Sequence, residues 1–509
     1  MTEVFAHAVA SFEPTDTSVL LWTRLTGATT TTWTIARDAE LQDVVASGST
    51  ATDARRDFTV VEDVTGLEPG TTYWYRFEAD GQPSPLGRTR TLPTGRTERF
   101  VLGLVSCAHY PVAPFGVYRA MAERDVDLVL HLGDYMYEDG TTTGPRTHRP
   151  PHAAVTLDDY RRRLAQLRED TDLQALHLRH PVVTIWDDHD LADNAWRTGA
   201  KSHEPERDGP WQARVAAAAQ ARQEWVPGRL QDPTVTWRSI RIGDLIDLVL
   251  LDTRYAGRDQ HAGDPGTKDL RDPHRSLLGD EQRAWVRARL ADRSARWAVV
   301  ASGVVINPIR LHLPVGKRVN ALLPNGYATI DDEVLHDDQW DGYPAERDRL
   351  VEAVRARGEA GGRTILLSGD VHSSWAFEGP VDPASGRPVA VEVTTPAVSS
   401  APMGRAHHPG LWRLVDRAAK RLDHVRWVDL TERGFVLLEV GRDEARAEWW
   451  FVHPYDEDPG GSAELAAAFT TDRAAWPPRL ERIPVRGPRP RLLRRRPPAS
   501  AHVDPADGP

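Results

Sequence analysis

The sequence predicts a mixed α/β protein in two parts, a small antiparallel β-sandwich over residues 1–92 and a large α/β domain over 99–455. Three observations carry that prediction. From residue 99 onward, continuous apolar runs at 100–106, 127–133, 181–186, 246–252, 296–302 and 364–369 lack polar alternation, so each reads as a strand covered on both faces. Amphipathic stretches at 114–124, 157–169, 279–292 and 344–357 fall between these runs, the grammar of strands joined by helices. Before residue 93, strand-like runs at 18–24, 31–38, 57–64 and 72–80 are rich in β-branched and aromatic residues and tend to alternate. Turn signals such as Glu68-Pro69-Gly70 and Asp80-Gly81 separate them.

Within the first part, Leu67 to Tyr73 is similar to the turn-then-tyrosine segment of fibronectin type III-like sandwiches. Leu92-Pro93-Thr94-Gly95-Arg96 reads as a linker. Runs at 434–440 and 445–453 suggest closing antiparallel strands. From about residue 470 the chain is rich in proline and arginine, so 470–509 is expected to be a disordered, solvated tail.

Composition narrows the function classes. A net charge of −11 argues against general attraction to nucleic acid. No apolar run approaches the roughly 18 to 20 residues that span a bilayer. The amino terminus carries neither a basic-then-apolar export signal nor a twin-arginine pair, so the expectation is cytoplasmic; a trimmed chain would fit secretion or the cell envelope equally. With Cys107 the single cysteine, no intrachain disulfide can form and the fold must rest on its cores.

The chemistry lies where the apolar runs stop. The run 100–106 leads into Cys107; 127–133 into Asp134, Tyr135, Met136 and Tyr137; 181–186 into Asp187, Asp188, His189 and Asp190; 246–252 ends at Asp252, with Thr253 and Arg254 next; 364–369 leads into Asp370 and His372. Ligands of open α/β sheets bind beyond the carboxyl ends of the strands, so these five ends should face one crevice. Taken singly, each residue has a structural explanation, an aspartate after glycine being a common turn residue. Five ends carrying cysteine, carboxylates, tyrosine and histidines are not explained by packing. The GxxxxGK[ST] phosphate loop and the GxSxG nucleophile elbow are both absent, which leaves hydrolysis by metal-activated water.

Ser106-Cys107, Gly133 to Glu138, Trp186 to Asp190 and Ser368 to His372 together resemble the alkaline phosphatase D family, a branch of the calcineurin-like metallophosphatases. Phe5, Ala10-Ser11, Pro14 and Ser18 to Arg24 resemble that family's leader domain, and the stretches 338–344 and 424–429 are similar too. The resemblance spans about residues 4 to 453. It implies a four-layer sandwich of two mixed β-sheets with helices outside, and hydrolysis of phosphomonoesters or phosphodiesters at a site of ferric iron plus calcium. Carried over, Cys107, Asp134, Tyr137 and His372 would hold the iron; Asp134 would bridge to a second metal completed by Asp188 and Asp370; His189 would serve the phosphate as hydrogen-bond or proton-transfer partner. Thiolate and phenolate together suit a trivalent iron, and carboxylates suit calcium. One position departs from the pattern, Asp190 standing where glutamate is expected after the histidine.

The residues suggest further candidates. Arg254 is the expected phosphate clamp, since a guanidinium fork matches phosphate geometry. Asn194 is expected as an amide ligand or substrate contact, and Asp187 as a residue that orients a ligand. Trp340 and Tyr343, with the polar insertion 307–343, are candidates for a lid. The expected substrate is a small phosphoester. A phospholipase D-like diesterase acting on lipids, and a non-catalytic binding module that keeps the fold, are the alternatives.

Overall fold

The computed structural model describes residues 3–262, 270–310, 327–330, 333–404 and 409–485. Every apolar run singled out above is a strand, and the strands fall into two large sheets. Arg99–Val105, Leu128–Leu132 and Val182–Ile185 lie side by side and parallel in the first. Ile246–Leu250, Trp297–Ala301, Arg363–Ser368 and Val391–Thr394 do the same in the second. Antiparallel strands complete both: Gly434–Gly441, Glu444–Phe451, Glu464–Asp472 and Glu481–Arg482 extend the first sheet, while Arg238–Ile242, Ser374–Glu378 and Val425–Asp429 edge the second.

The two sheets pack face to face through one apolar layer that includes Leu102, Leu104, Leu130 and Ile185 from the first and Leu248, Val299, Ile365 and Leu367 from the second. Each outer face takes helices. Gly116–Ala122, Leu157–Arg168 and Trp211–Trp225 cover the first sheet, and Gly279–Ala291 and Pro344–Glu359 cover the second. Leu157–Arg168 starts where Thr156 and Asp159 form a reciprocal capping box, which fixes the chain's entry into the helix. The result is the expected four-layer sandwich. Among the described residues no helix is long and apolar enough to cross a membrane.

The leader is joined to the rest more closely than the sequence suggested. Its strands Thr30–Ala36, Val44–Ala51, Thr72–Ala79, Gln82–Pro83 and Gly87–Arg90 form a small sheet of their own. Its other strands, Val9–Phe12, Ser18–Arg24 and Thr59–Thr65, continue the first large sheet, Phe12 pairing in parallel with Val182. Residues that alternate along Ser18–Arg24 therefore serve two cores. Val19 and Leu21 face Tyr73, Tyr75 and Phe77 of the small sheet, whereas Leu20 and Trp22 join the core of the large domain. The Tyr73 hydroxyl accepts from the amide of Glu68 at 2.8 Å, the corner that the turn-then-tyrosine segment suggested.

The other end needs a correction. The tail expected from residue 470 stays in the fold as far as 485: Glu464–Asp472 and Glu481–Arg482 are sheet strands, Leu480 is buried, and Arg363 lies over the Trp476 ring at 5.2 Å. Apolar residues scattered among the prolines supply these contacts. Residues 486–509, with most of the arginines, lie outside the described residues.

Candidate metal centre

The carboxyl ends of the parallel strands converge, and the chain must bend sharply to turn side chains inward there. Cys107, Asp134, Asp370, His372 and Asn194 all adopt positive φ, at 61°, 54°, 62°, 46° and 51°. Non-glycine residues in this region are uncommon and cost about 1–3 kcal/mol each, so their clustering marks a functional site. Backbone contacts hold the bends. The amide of Cys107 donates to Gly133 O at 3.2 Å and that of Ala108 to Asp134 O at 2.9 Å. Asp190 accepts from the amides of Asp134 and Asp187 at 2.9 Å and of Tyr135 at 3.1 Å. The residue at the departing position is thus the brace that ties two strand ends together.

Potential ligand atoms of Cys107, Asp134 and His372 lie within 4.8 Å of one another, as do those of Asp134, Asp187, Asp188 and Asp370. Asp134 belongs to both groups. The Tyr137 hydroxyl joins the first, 3.0 Å from His372 Nε2 and accepting from Ser400 Oγ at 2.8 Å. All six residues expected to bind metal are therefore brought together. His189 stands beside them, its Nδ1 2.7 Å from Glu138 Oε2 and its amide donating to Asp134 Oδ1 at 3.2 Å. Asn194 lines the same cavity, and its amide donates to Asp188 Oδ2 at 2.7 Å.

Electrostatics favour a cation here. Burial raises Cys107 well above the usual thiol range, with the charges of Asp134 and Asp370 adding to it. Burial likewise raises Tyr137, Asp134 and Asp370, in each case reinforced by neighbouring carboxylates. Unaided, these groups resist carrying the negative charge that a metal ligand needs; bound cations reverse that preference. Asp134 Oδ2, Asp187 Oδ2 and Asp188 Oδ1 are buried without a hydrogen-bond partner, as oxygens waiting for an ion would be. The donor set fits the implied metals: thiol, phenol and imidazole on one side, carboxylates on the other. For His189, burial works against the charged form, yet Asp188, Glu138 and Asp134 raise its pKa well above the usual histidine range.

Two expectations change. Arg254 is not a free phosphate clamp: it is completely buried, its guanidinium donating to Asp187, to Asp338 at 2.7 and 2.8 Å and to Asp370 at 3.1 Å, and it is not among the residues lining the cavity. It is a counter-ion that balances and orients the carboxylates. Trp340 and Tyr343 are not a lid but core. Both are fully buried, Trp340 donating to Ser302 Oγ at 3.2 Å and Tyr343 to Asp259 O at 2.6 Å. Of the insertion between them and Asn307, residues 311–326, 331 and 332 lie outside the described residues. Asp187 meets Arg254 and closes the carboxylate group. Sequence reasoning also missed Glu138 and Asp338, though both sit in segments it singled out. Glu138 is buried and accepts from the amide of Asp193 at 2.8 Å and Ser202 Oγ at 3.1 Å while holding His189.

The cluster opens onto a cavity of about 700 Å³ whose lining also includes the apolar Val371, Met403 and Trp412 and the polar Asp193, Asn194, Ser202 and Arg207.

Comparison with known proteins decides the family. Residues 100–449 match the model of the PhoD-like phosphatases and residues 1–93 that of the PhoD-like phosphatase N-terminal domain. The chain belongs to the PhoD-like phosphatase family. It is 30% identical over 497 residues to alkaline phosphatase D of Bacillus subtilis (strain 168), covering 91% of this chain and 80% of that one. A solved structure described as PhoD superposes with a TM-score of 0.80 at 28% identity, covering 96% of this chain and 94% of the other. This PhoD-like phosphatase is accordingly a metal-dependent phosphoric ester hydrolase.

Proposed function

We propose that this centre cleaves phosphate esters with ferric iron held by Cys107, Asp134, Tyr137 and His372 and with calcium held by Asp134, Asp188 and Asp370. The observation that carries the reading is the sharing of Asp134 between a thiol-imidazole group and a carboxylate group. Bound there, the cations would supply Lewis acidity toward the phosphoryl oxygens and a water acidic enough to attack. The remaining steps belong to the chain. Glu138 takes Nδ1 of His189 and leaves Nε2 for the substrate, so His189 donates a proton to the departing alkoxide while the hydroxyl of water goes to phosphorus, and the proton that water gives up restores His189 through solvent. Asn194, on the rim, contacts the phosphate. Arg254, in the wall behind, keeps Asp187, Asp338 and Asp370 in place.

The cavity is far larger than a phosphate, and its lining includes the apolar Val371, Met403 and Trp412. That supports esters of bulky alcohols and keeps a diester, a lipid diester included, as the second reading. Turnover of nitrophenyl phosphate against bis(nitrophenyl) phosphate separates the two. Chelation should abolish both activities, and Asp134→Asn should do the same; full turnover in Asp134→Asn would remove the centre from this reading.

A further inference from the structure

Tyr137 is held in a stack of three rings. The His109 imidazole lies on one face, with centroids 4.2 Å apart and planes 13° from parallel, and the His189 imidazole on the other, at 4.1 Å and 30°. Each outer ring has its own carboxylate: His189 has Glu138 at 2.7 Å, and His109 Nε2 has Asp139 Oδ2 at 3.0 Å. The arrangement is nearly symmetric about the phenol, although only the His189 side has a part in the hydrolysis described above.

The His109 side is braced independently. Ser399 Oγ donates to His109 O at 2.9 Å, fixing the loop that follows Cys107. Asp139 lies beside a second imidazole, with His148 Nδ1 3.6 Å from its carboxylate. His109, Asp139 and His148 bring potential ligand atoms within 4.8 Å of one another, a spacing that would suit a metal ion. A cation is already built in, however. The buried guanidinium of Arg163 donates to His148 Nδ1 at 3.0 Å, to Asp139 O at 2.7 Å and to Tyr137 O. Arg163 supplies the positive charge that the pocket would otherwise draw from solution, and the cluster serves as a support.

We propose that His109, backed by Asp139, is a positioning residue for Tyr137: it closes the stack so that the ring cannot tilt and the phenol oxygen stays on His372 and Ser400, facing the Cys107–Asp134 group. A hydroxyl anchored only by two hydrogen bonds can still swing its ring about them; two flat faces remove that freedom. The inference rests on the reading of Tyr137 as a metal ligand only for its consequence, since the stack itself needs no metal. Residues that orient a metal ligand typically contribute 10- to 100-fold to affinity, so loss of the His109 face should weaken iron binding by at least about tenfold.

The test uses the full chain carrying fluorotyrosine, with metals removed by chelation, and reads the fluorine resonance of Tyr137, assigned by its loss in Tyr137→Phe. Sandwiched between two rings, that resonance should be shifted upfield and sharp in the unaltered protein and in His109→Phe, which keeps a flat face. In His109→Ala it should move downfield and broaden. An unmoved resonance in His109→Ala, or a His109→Phe protein no better than His109→Ala, overturns the assignment. A parallel measurement on iron-loaded protein follows the visible absorption band that a phenolate–iron bond produces. A band absent from the unaltered protein would count against Tyr137 as a ligand and leave the fluorine result to stand for His109, so the two failures are distinguishable.

Discussion

The role proposed for His189 depends on Glu138, which lies buried behind it and takes Nδ1, leaving Nε2 free of that partner. Loss of a positioned proton donor costs typically 10²- to 10⁴-fold. We expect that range for kcat in His189→Ala, with metal content unchanged, and a smaller fall of about tenfold or more in Glu138→Gln, both read by steady-state kinetics on a nitrophenyl ester. Arg254 behaves oppositely because it serves the carboxylates and not the substrate. Removing one member of a buried charge network costs about 3–5 kcal/mol, so Arg254→Ala should lower unfolding stability by that order in denaturant titration of metal-free protein. A variant as stable as the parent would return Arg254 to the role of substrate clamp. Cys107, Asp134, Asp188, Asp370 and His372 were legible because each follows the end of an apolar run. Arg254 was misread for an equally physical reason: a sequence shows a guanidinium near a strand end but not the four carboxylates, of Asp187, Asp188, Asp338 and Asp370, that fold around it.

The strand ends explain why this site could be found at all. A parallel strand buried on both faces leaves nowhere for polar residues except its termini, so the chemistry collects where the apolar run stops. The bends themselves were not legible, since positive φ at Cys107, Asp134, Asp370 and His372 follows from the contacts of neighbouring strands and not from residue type. Gly133 is the exception whose type is dictated. It sits at φ 99°, and a β-carbon there would lie 2.4 Å from Asp187 Cβ. Gly133→Ala must push the Asp134 and Asp187 strand ends apart. We expect a loss of about 1–3 kcal/mol, as for other overpacked sites, together with weaker metal retention, checked by thermal unfolding and elemental analysis. The helix Trp211–Trp225 escaped the sequence reading because its buried face carries Arg214 and Arg222 while its exposed face carries Ala213 and Ala216, so polar and apolar residues do not sort by helical period.

At the scale of the whole molecule, the leader is part of the catalytic sheet. Val9–Phe12 covers the edge at Val182, and Trp22 enters the large core while donating to Glu224 O at 2.8 Å. The sequence showed four of the leader's strands, missing Val9–Phe12 among others, and did not show that three of them pair outward, because pairing partners leave no local mark. Deletion of residues 1–92 should therefore expose a long strand edge and yield insoluble protein; a soluble, active fragment would contradict the shared sheet. The same junction makes a pH prediction. Burial, with the charges of Arg24 and Arg168, lowers His7 to about 3. Between its ordinary pKa of 6.5 and that value, the unfolded chain binds a proton that the folded chain refuses, so stability is full above 6.5 and declines as pH falls toward 3. At pH 5 the loss amounts to about 2 kcal/mol. His7→Phe, which keeps the ring against Trp225, should flatten the decline in melting temperature between pH 7 and 5 relative to the unaltered protein.

One molecule-wide measurement bears most directly on the claim that strand ends far apart in sequence assemble around cations: elemental analysis of the protein isolated from its own host, set beside Asp134→Asn. The shared aspartate predicts more than one bound cation per chain, iron among them, with all of them depleted together by the single substitution. Full metal content in Asp134→Asn, or an active protein carrying no metal at all, would contradict it.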